Sequence, residues 1–357
     1  MPISEGKASS HMELFEMAQS AVVEVNMEKT SMNKKAVSRF LENNAIILII
    51  FLIVLFVGIS EPNFLSGSNF KNLSVNTAVR FIIALGVSGA LITKGTDLSA
   101  GRLVGLGSCI AAVLLQKSDF SSKLFPNLPE MNIILAFLIT IAICGVFGFI
   151  NGSVISFLKV PPFIATLGMQ TLVYGICLVF TGAKPIGGLR TDYTVLASGS
   201  FFKIPYLLII AVVFGAFMWM LFNMTRHGKY MYAIGGNESA AEVAGVNTSK
   251  TKIIIYTLAA MLYAMGGILL AAKAGGTSVN MGAGYELEAI AACTIGGVST
   301  NGGVGKISGI LIGVLVFELL KISLQFLGVE TSYTYIVQGL VIIIAVALDL
   351  RKYLAKK

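Results

Sequence analysis

Ala45–Ile59 runs unbroken without one polar side chain. A soluble helix gathers its apolar residues on one stripe, whereas this segment is apolar all the way round. A bilayer core of about 30 Å takes about 20 mainly apolar helical residues to cross. Comparable stretches recur along the chain. Segmentation gives ten candidate spans, at 42–60, 76–93, 99–116, 131–157, 162–182, 205–223, 252–272, 285–298, 304–325 and 333–350. The eighth is short and glycine-rich, so the range is eight to ten. Pro161 and Pro162 separate the fourth and fifth, since proline ends helices. Barrel strands would be about 10 residues long and alternating, and no such pattern occurs. The expected fold is all-α, a polytopic membrane helical bundle.

Composition excludes the ordinary soluble enzyme. Only 12% of the residues are charged and 55% are hydrophobic, against about 25% charged in a soluble domain. The net charge of +8 has a simpler cause than nucleic acid, because cytoplasmic loops of membrane proteins collect Lys and Arg. Cys109, Cys144, Cys177 and Cys293 all lie in apolar stretches, which argues against a disulfide framework.

Residues 1–43 are polar and of mixed charge, without the apolar core of a signal peptide. They read as a poorly ordered cytoplasmic tail, within which Leu14–Val25 makes at most a weak amphipathic helix. Lys34, Lys35 and Arg39 anchor its end at the membrane surface. The spanning domain is then 44–357. Arg226, Lys229, Lys250 and Lys252 sit on the loop after the sixth span, and Arg351, Lys352, Lys356 and Lys357 end the chain. Ten crossings with the N-terminus inside put both clusters in the cytoplasm, as positive charge requires.

Two regions are rich in small residues: Gly95–Gly107 and Gly296–Gly313. Gly101-Arg102-Leu103-Val104-Gly105 resembles Gly305-Lys306-Ile307-Ser308-Gly309. Glycines four apart let helix backbones approach closely in lipid. Plain packing explains the pattern, and so does an internal duplication flanking a transport pathway.

The most informative polar segment is the cytoplasmic loop 224–251. Asn237 is a good N-cap and Gly245 a good C′ residue, so a helix of about two turns is expected between them. Glu238 suits the positive end of its dipole, and Ala240, Ala241 and Ala244 give it a thin face. A helix that short is unstable alone in water; it makes sense docked into a partner's groove.

Glu238-Ser239-Ala240-Ala241 followed by Gly245 resembles the signature of permease subunits of ATP-binding-cassette importers, where a short cytoplasmic helix touches the ATPase subunit. The stretches Gly95–Arg102, Pro162–Gly168, Tyr285–Ala292 and Val341–Asp349 narrow the likeness. They resemble the permeases of galactose/methyl-galactoside importers, within the ribose/galactose type, over about residues 40–357. Arg102 favours galactose, since ribose permeases usually carry serine there. The resemblance implies no catalytic or cofactor role. It implies an inner-membrane homodimer, a separate ATPase subunit and an extracytoplasmic sugar-binding protein. The coupling helix would be Asn237, Glu238, Ser239, Ala240, Ala241, Ala244 and Gly245. No G-x-x-x-x-G-K-[ST] phosphate cradle occurs in the chain, so ATP would be hydrolysed by another subunit.

Ionisable groups at membrane depth are costly unless paired or wet. Asp97 and Arg102 are expected to pair, as are Glu318 and Lys321, which lie one helical turn apart. Glu286 and Glu288 are expected to cap the eighth span or to receive the binding protein. Asp97, Ser99, Arg102, Asn151 and Asn301 are the candidate path or gate residues, with packing as the plainer role for Asn151. Ribose or nucleosides are alternative cargoes. An ion-coupled secondary transporter is the alternative of another class; it would want an ionisable residue deep in a span and would leave the short helix unexplained.

Overall fold

The computed structural model describes residues 47–354, and the expected tail and its amphipathic stretch lie outside them. Thirteen helices follow in order among the described residues: α1 (Ile47–Ser60), α2 (Gly67–Ile92), α3 (Ala100–Leu114), α4 (Ile133–Phe157), α5 (Pro162–Thr181), α6 (Thr191–Ser198), α7 (Tyr206–Met224), α8 (Arg226–Gly236), α9 (Glu238–Val243), α10 (Thr248–Ala274), α11 (Tyr285–Ile295), α12 (Ile307–Phe326) and α13 (Thr331–Leu354). A two-residue hairpin, β1 (Ser200–Phe201) with β2 (Ile204–Pro205), precedes α7.

Among the described residues seven helices are long and apolar enough to cross a membrane: α2, α4, α5, α7, α10, α12 and α13. Each of the ten predicted spans corresponds to a helix, but α1, α3 and α11 are shorter. Helix α2 starts nine residues earlier than hydropathy suggests, at Gly67, because Ser66 Oγ caps it by accepting from Asn69 N at 3.3 Å. The polar stretch Asn69–Asn76 hides that start from a hydropathy reading.

Helices α2, α3 and α10 form the centre, with Ile82, Leu85, Val104, Tyr256 and Tyr263 almost fully buried. Helix α4 lies against α10 through Gly148 and Gly152. A Cβ on Gly148 would meet Tyr256 O at 2.4 Å, and one on Gly152 would meet Ile253 Cα at 2.8 Å. The outer helices α4, α5, α7 and α13 turn Ile134, Leu138, Phe149, Val179, Val212, Ile336 and Ile343 outward. Water would not tolerate so large an apolar surface; a lipid environment does, and the chain is a multi-pass membrane protein. Trp219 is half-exposed on this outer surface. All four cysteines are buried and free.

Candidate functional site

Two regions stand out: an arm built from α8 and α9, and a pair of interrupted spans at the centre of the bundle.

The arm begins where Thr225 Oγ1 accepts from Gly228 N at 3.1 Å and starts α8. Asn237 then caps α9, its Oδ1 accepting from Ala240 N at 3.1 Å. Gly245, at φ +85°, closes the helix: Gly245 N donates to Glu242 O at 2.9 Å and Val246 N to Ala241 O at 3.0 Å. That left-handed backbone is cheap only for glycine. Two contacts tie the inner side of α9 to α10. Glu238 pairs with Lys252 Nζ at 2.6 Å, and Thr248 Oγ1 donates to Glu242 Oε1 at 2.6 Å.

The expected thin face is revised here. Ala241 is buried against the body of the protein, so the outward face carries Ser239, Ala240, Val243 and Ala244. Val243 is 92% exposed, an apolar tip beside small residues and the exposed Glu242. Sequence patterning treated three alanines as one face. At 100° per residue, Ala240 and Ala241 cannot share it.

The first interrupted span lies between α2 and α3. After Ile92 the chain reverses, with Lys94 at φ +61° and Gly95 N donating back to Ala90 O at 2.8 Å. Gly95, Asp97 and Ser99 are buried in non-helical backbone. Irregular backbone at membrane depth persists only where protein covers it, and here polar side chains satisfy it. Asp97 Oδ1 accepts from Ser99 N at 3.0 Å and from Ser99 Oγ at 2.6 Å; its Oδ2 accepts from Tyr263 OH at 3.1 Å. Thr166 Oγ1 donates to Thr96 O at 3.1 Å. Tyr263 stands past the middle of α10, so α3 starts deep inside the bundle.

The second interrupted span is the segment before α11. Gly276–Gly284 runs antiparallel along α3: Thr277 Oγ1 and Ser108 Oγ share a hydrogen at 2.6 Å, and a Cβ on Gly105 would meet Met281 O at 2.7 Å. Gly101 packs on Gly282 and Glu286. The N-termini of α3 and α11 therefore approach each other in mid-bundle. Discontinuous helices meeting at mid-depth are the form that membrane transport sites take.

The ion pairs differ from expectation. Asp97 and Arg102 do not pair, because Ser99 and Tyr263 already satisfy the buried carboxylate. The Arg102 guanidinium lies 4.0 Å from the ring centroid of Tyr174 on α5, and its Nη1 donates to Val279 O at 3.3 Å. Glu318 and Lys321 do not pair with each other either. Arg80, at the middle of α2, stands 3.1 Å from both Glu288 Oε2 and Glu318 Oε2, and Lys321 Nζ bonds Glu288 Oε1 at 2.9 Å. The network joins α2, α11 and α12, placing two acids and two bases where unpaired charge is expensive. Within one helix a pair a turn apart has only local support, whereas the half-buried Arg80 offers both acids a shared partner. Glu288 is thus an internal anchor. Glu286 is buried, its Oε2 unpartnered among the described residues, and Glu288 is half-buried and held in the network, so neither acid presents an outer docking surface.

Asn151 is buried in α4 between Gly148 and Gly152, its Oδ1 without a partner among the described residues. Asn301 lies in the turn between α11 and α12, its N–H donating to Ser299 Oγ at 3.2 Å. Of the five candidate path residues, the structure brings Asp97, Ser99 and Arg102 together at the first break. Arg80, Tyr174, Tyr263 and Asn280 escaped the sequence reading. Arg80 alone offered a signal, a cation inside an apolar span.

A multi-pass bundle with broken central spans and a capped short-helix arm is the build of a transport permease. The chain belongs to the family described as "Branched-chain amino acid transport system / permease component", whose model matches residues 69–346. It is 44% identical over 335 residues to the galactose/methyl galactoside import permease protein MglC of Escherichia coli K12, covering 92% of this chain and all of that one. The protein of the same name from Haemophilus influenzae is 42% identical over 89% of this chain and 96% of its own length. The ribose import permease protein RbsC of Bacillus subtilis is 38% identical over 85% and 91%. No solved structure matches the chain.

Proposed function

We propose that the chain is the membrane-spanning permease subunit of an ATP-driven importer for galactose or methyl galactoside, with glucose as a further cargo. The carrying observation is α9, a helix too short to persist alone, capped at both ends and braced on α10. It presents Ser239, Ala240, Ala244 and Val243 to the outside, with Glu242 exposed beside them. Such a helix suits a groove on an ATPase subunit. In this reading ATP is hydrolysed there and not by this chain.

The permease domain is 44–357, crossing the bacterial inner membrane ten times with both ends in the cytoplasm and the loop 224–251 facing the ATPase. A binding protein outside delivers the sugar. A second copy of the chain completes the path. Arg102, half-buried, and Asn280, exposed, lie beside the break in mid-bundle and need such a cover. The open face of α5 at Gly168 and Gly175, where a Cβ would meet nothing within 4 Å among the described residues, allows another helix close in. Asp97, Ser99 and Arg102 border that path. The 44% identity to the galactose/methyl galactoside permease of Escherichia coli K12, against 35% to the ribose permease of the same strain, favours galactose.

Purification of the tagged chain from its own membranes tests this. An ATPase subunit should accompany it, and galactose with its binding protein should stimulate hydrolysis. Recovery without any nucleotide-binding partner contradicts the reading; stimulation by ribose alone contradicts the cargo.

A further inference from the structure

The turn between α11 and α12 is the second glycine-rich region of the sequence, and the arm rests on it backbone to backbone. Gly303 N donates to Ile92 O, the end of α2, at 2.8 Å. A Cβ on Gly235, at the end of α8, would lie 1.8 Å from Ile92 O and 2.4 Å from Gly303 N. One on Gly302 would lie 2.8 Å from Gly235 O. Tyr232 OH of α8 donates to Gly305 O at 2.9 Å, and Lys94 Nζ donates to Gly236 O at 3.2 Å. The arm therefore cannot shift without pressing on this turn or on the end of α2. At such close packing there is no side chain to absorb the displacement.

A single carboxylate oxygen fixes the other side of the turn. Asp349 Oδ2, near the end of α13, accepts from Thr300 N at 3.0 Å, from Thr300 Oγ1 at 2.8 Å and from Ser299 Oγ at 3.4 Å. Bonds to an ionised acceptor are stronger than neutral ones. The turn also carries Gly302 and Gly303 at φ +81° and +74°, so without an external hold it has ample backbone freedom.

We propose that Asp349 is a positioning residue for energy coupling. It holds the Ser299–Gly303 turn rigid against α13, so that motion of the arm passes into α2, α11, α12 and α13 instead of bending the turn. The inference rests on α9 being the point where an ATPase acts, and it adds the element that receives the motion.

The test uses the whole importer in vesicles, with radiolabelled galactose, its binding protein and ATP, and reads sugars imported per ATP hydrolysed. Asp349→Asn keeps the shape but loses the charge and opposes an amide to the donors. It should lower that ratio about tenfold, with basal hydrolysis and subunit assembly unchanged. Thr300→Val should lower it about threefold, and Thr300→Ser, which keeps the hydroxyl, should restore it. A residue of purely structural importance would lower yield and stability but leave the ratio alone.

Ala240→Trp on α9 serves as the reference. If it uncouples transport while Asp349→Asn stays within about twofold of wild type, the role of Asp349 is overturned and the coupling reading stands. If Ala240→Trp changes nothing, the coupling reading falls first. Should Asp349→Asn fail to assemble, the Thr300→Val and Thr300→Ser pair decides: equal ratios overturn the proposal.

Discussion

Tyr263 donates its hydroxyl hydrogen to Asp97 at 3.1 Å, and that bond fastens the break between α2 and α3 to the far half of α10. The carboxylate is 1% exposed and the tyrosine fully buried. Tyr263→Phe removes a donor without changing shape, leaving a buried oxygen short of a partner. The expected loss is about 1–3 kcal/mol. Thermal unfolding in detergent should show a clearly lower midpoint than wild type, and an unchanged midpoint would contradict the geometry.

The charge network of α2, α11 and α12 is expected to be costly to break from one side. Arg80→Leu strips both Glu288 and Glu318 of their shared cation, a change worth about 3–5 kcal/mol. Adding Glu318→Gln removes one stranded charge, so the double variant should unfold at a higher temperature than Arg80→Leu alone. A double variant that is no better would mean that Glu318 does not depend on Arg80.

Asn237 holds the start of α9 by one bond to Ala240 N. Asn237→Ala should weaken that short helix by about 1 kcal/mol. Hydrogen exchange at residues 239–244 should quicken about fivefold, while exchange in α10 stays as it is.

His227 lies on α8 with Nε2 buried and unpartnered among the described residues, and burial holds its imidazole below the usual histidine range. The unfolded chain protonates near pH 6.5, before the folded one does. Stability is therefore complete above that pH and declines as pH falls toward the lower folded value. Unfolding midpoints between pH 8 and pH 5.5 should fall less in His227→Gln than in wild type.

Much of the fold was legible because lipid imposes one simple requirement. Runs such as Ala45–Ile59 and Ile133–Phe157 have no other use than crossing hydrocarbon or filling a core. The caps of α9 were legible too, since Asn237 and Gly245 act on their own neighbours. The breaks at Gly95–Ser99 and Gly276–Gly284 were visible as glycine-rich segments, but not as facing ends of two helices. That meeting depends on contacts such as Ser108 with Thr277, remote in sequence. The ion pairs were misread for the same reason. Glu318 sits one turn from Lys321, yet its partner Arg80 comes from a helix far earlier in the chain. Helix α6 and the hairpin before α7 left no signal, being short and held by contacts remote in sequence, such as Tyr193 OH donating to Ile268 O at 2.6 Å and its ring against Phe137.

The most direct measurement is cysteine cross-linking from Val243, the exposed tip of α9, in intact membranes of the host. A Val243→Cys chain treated with a short bifunctional reagent should yield one adduct, with a nucleotide-binding ATPase subunit, and its formation should change when ATP is bound. An adduct that forms only with reagents confined to the outer side of the membrane, or with no ATPase at all, would contradict the account.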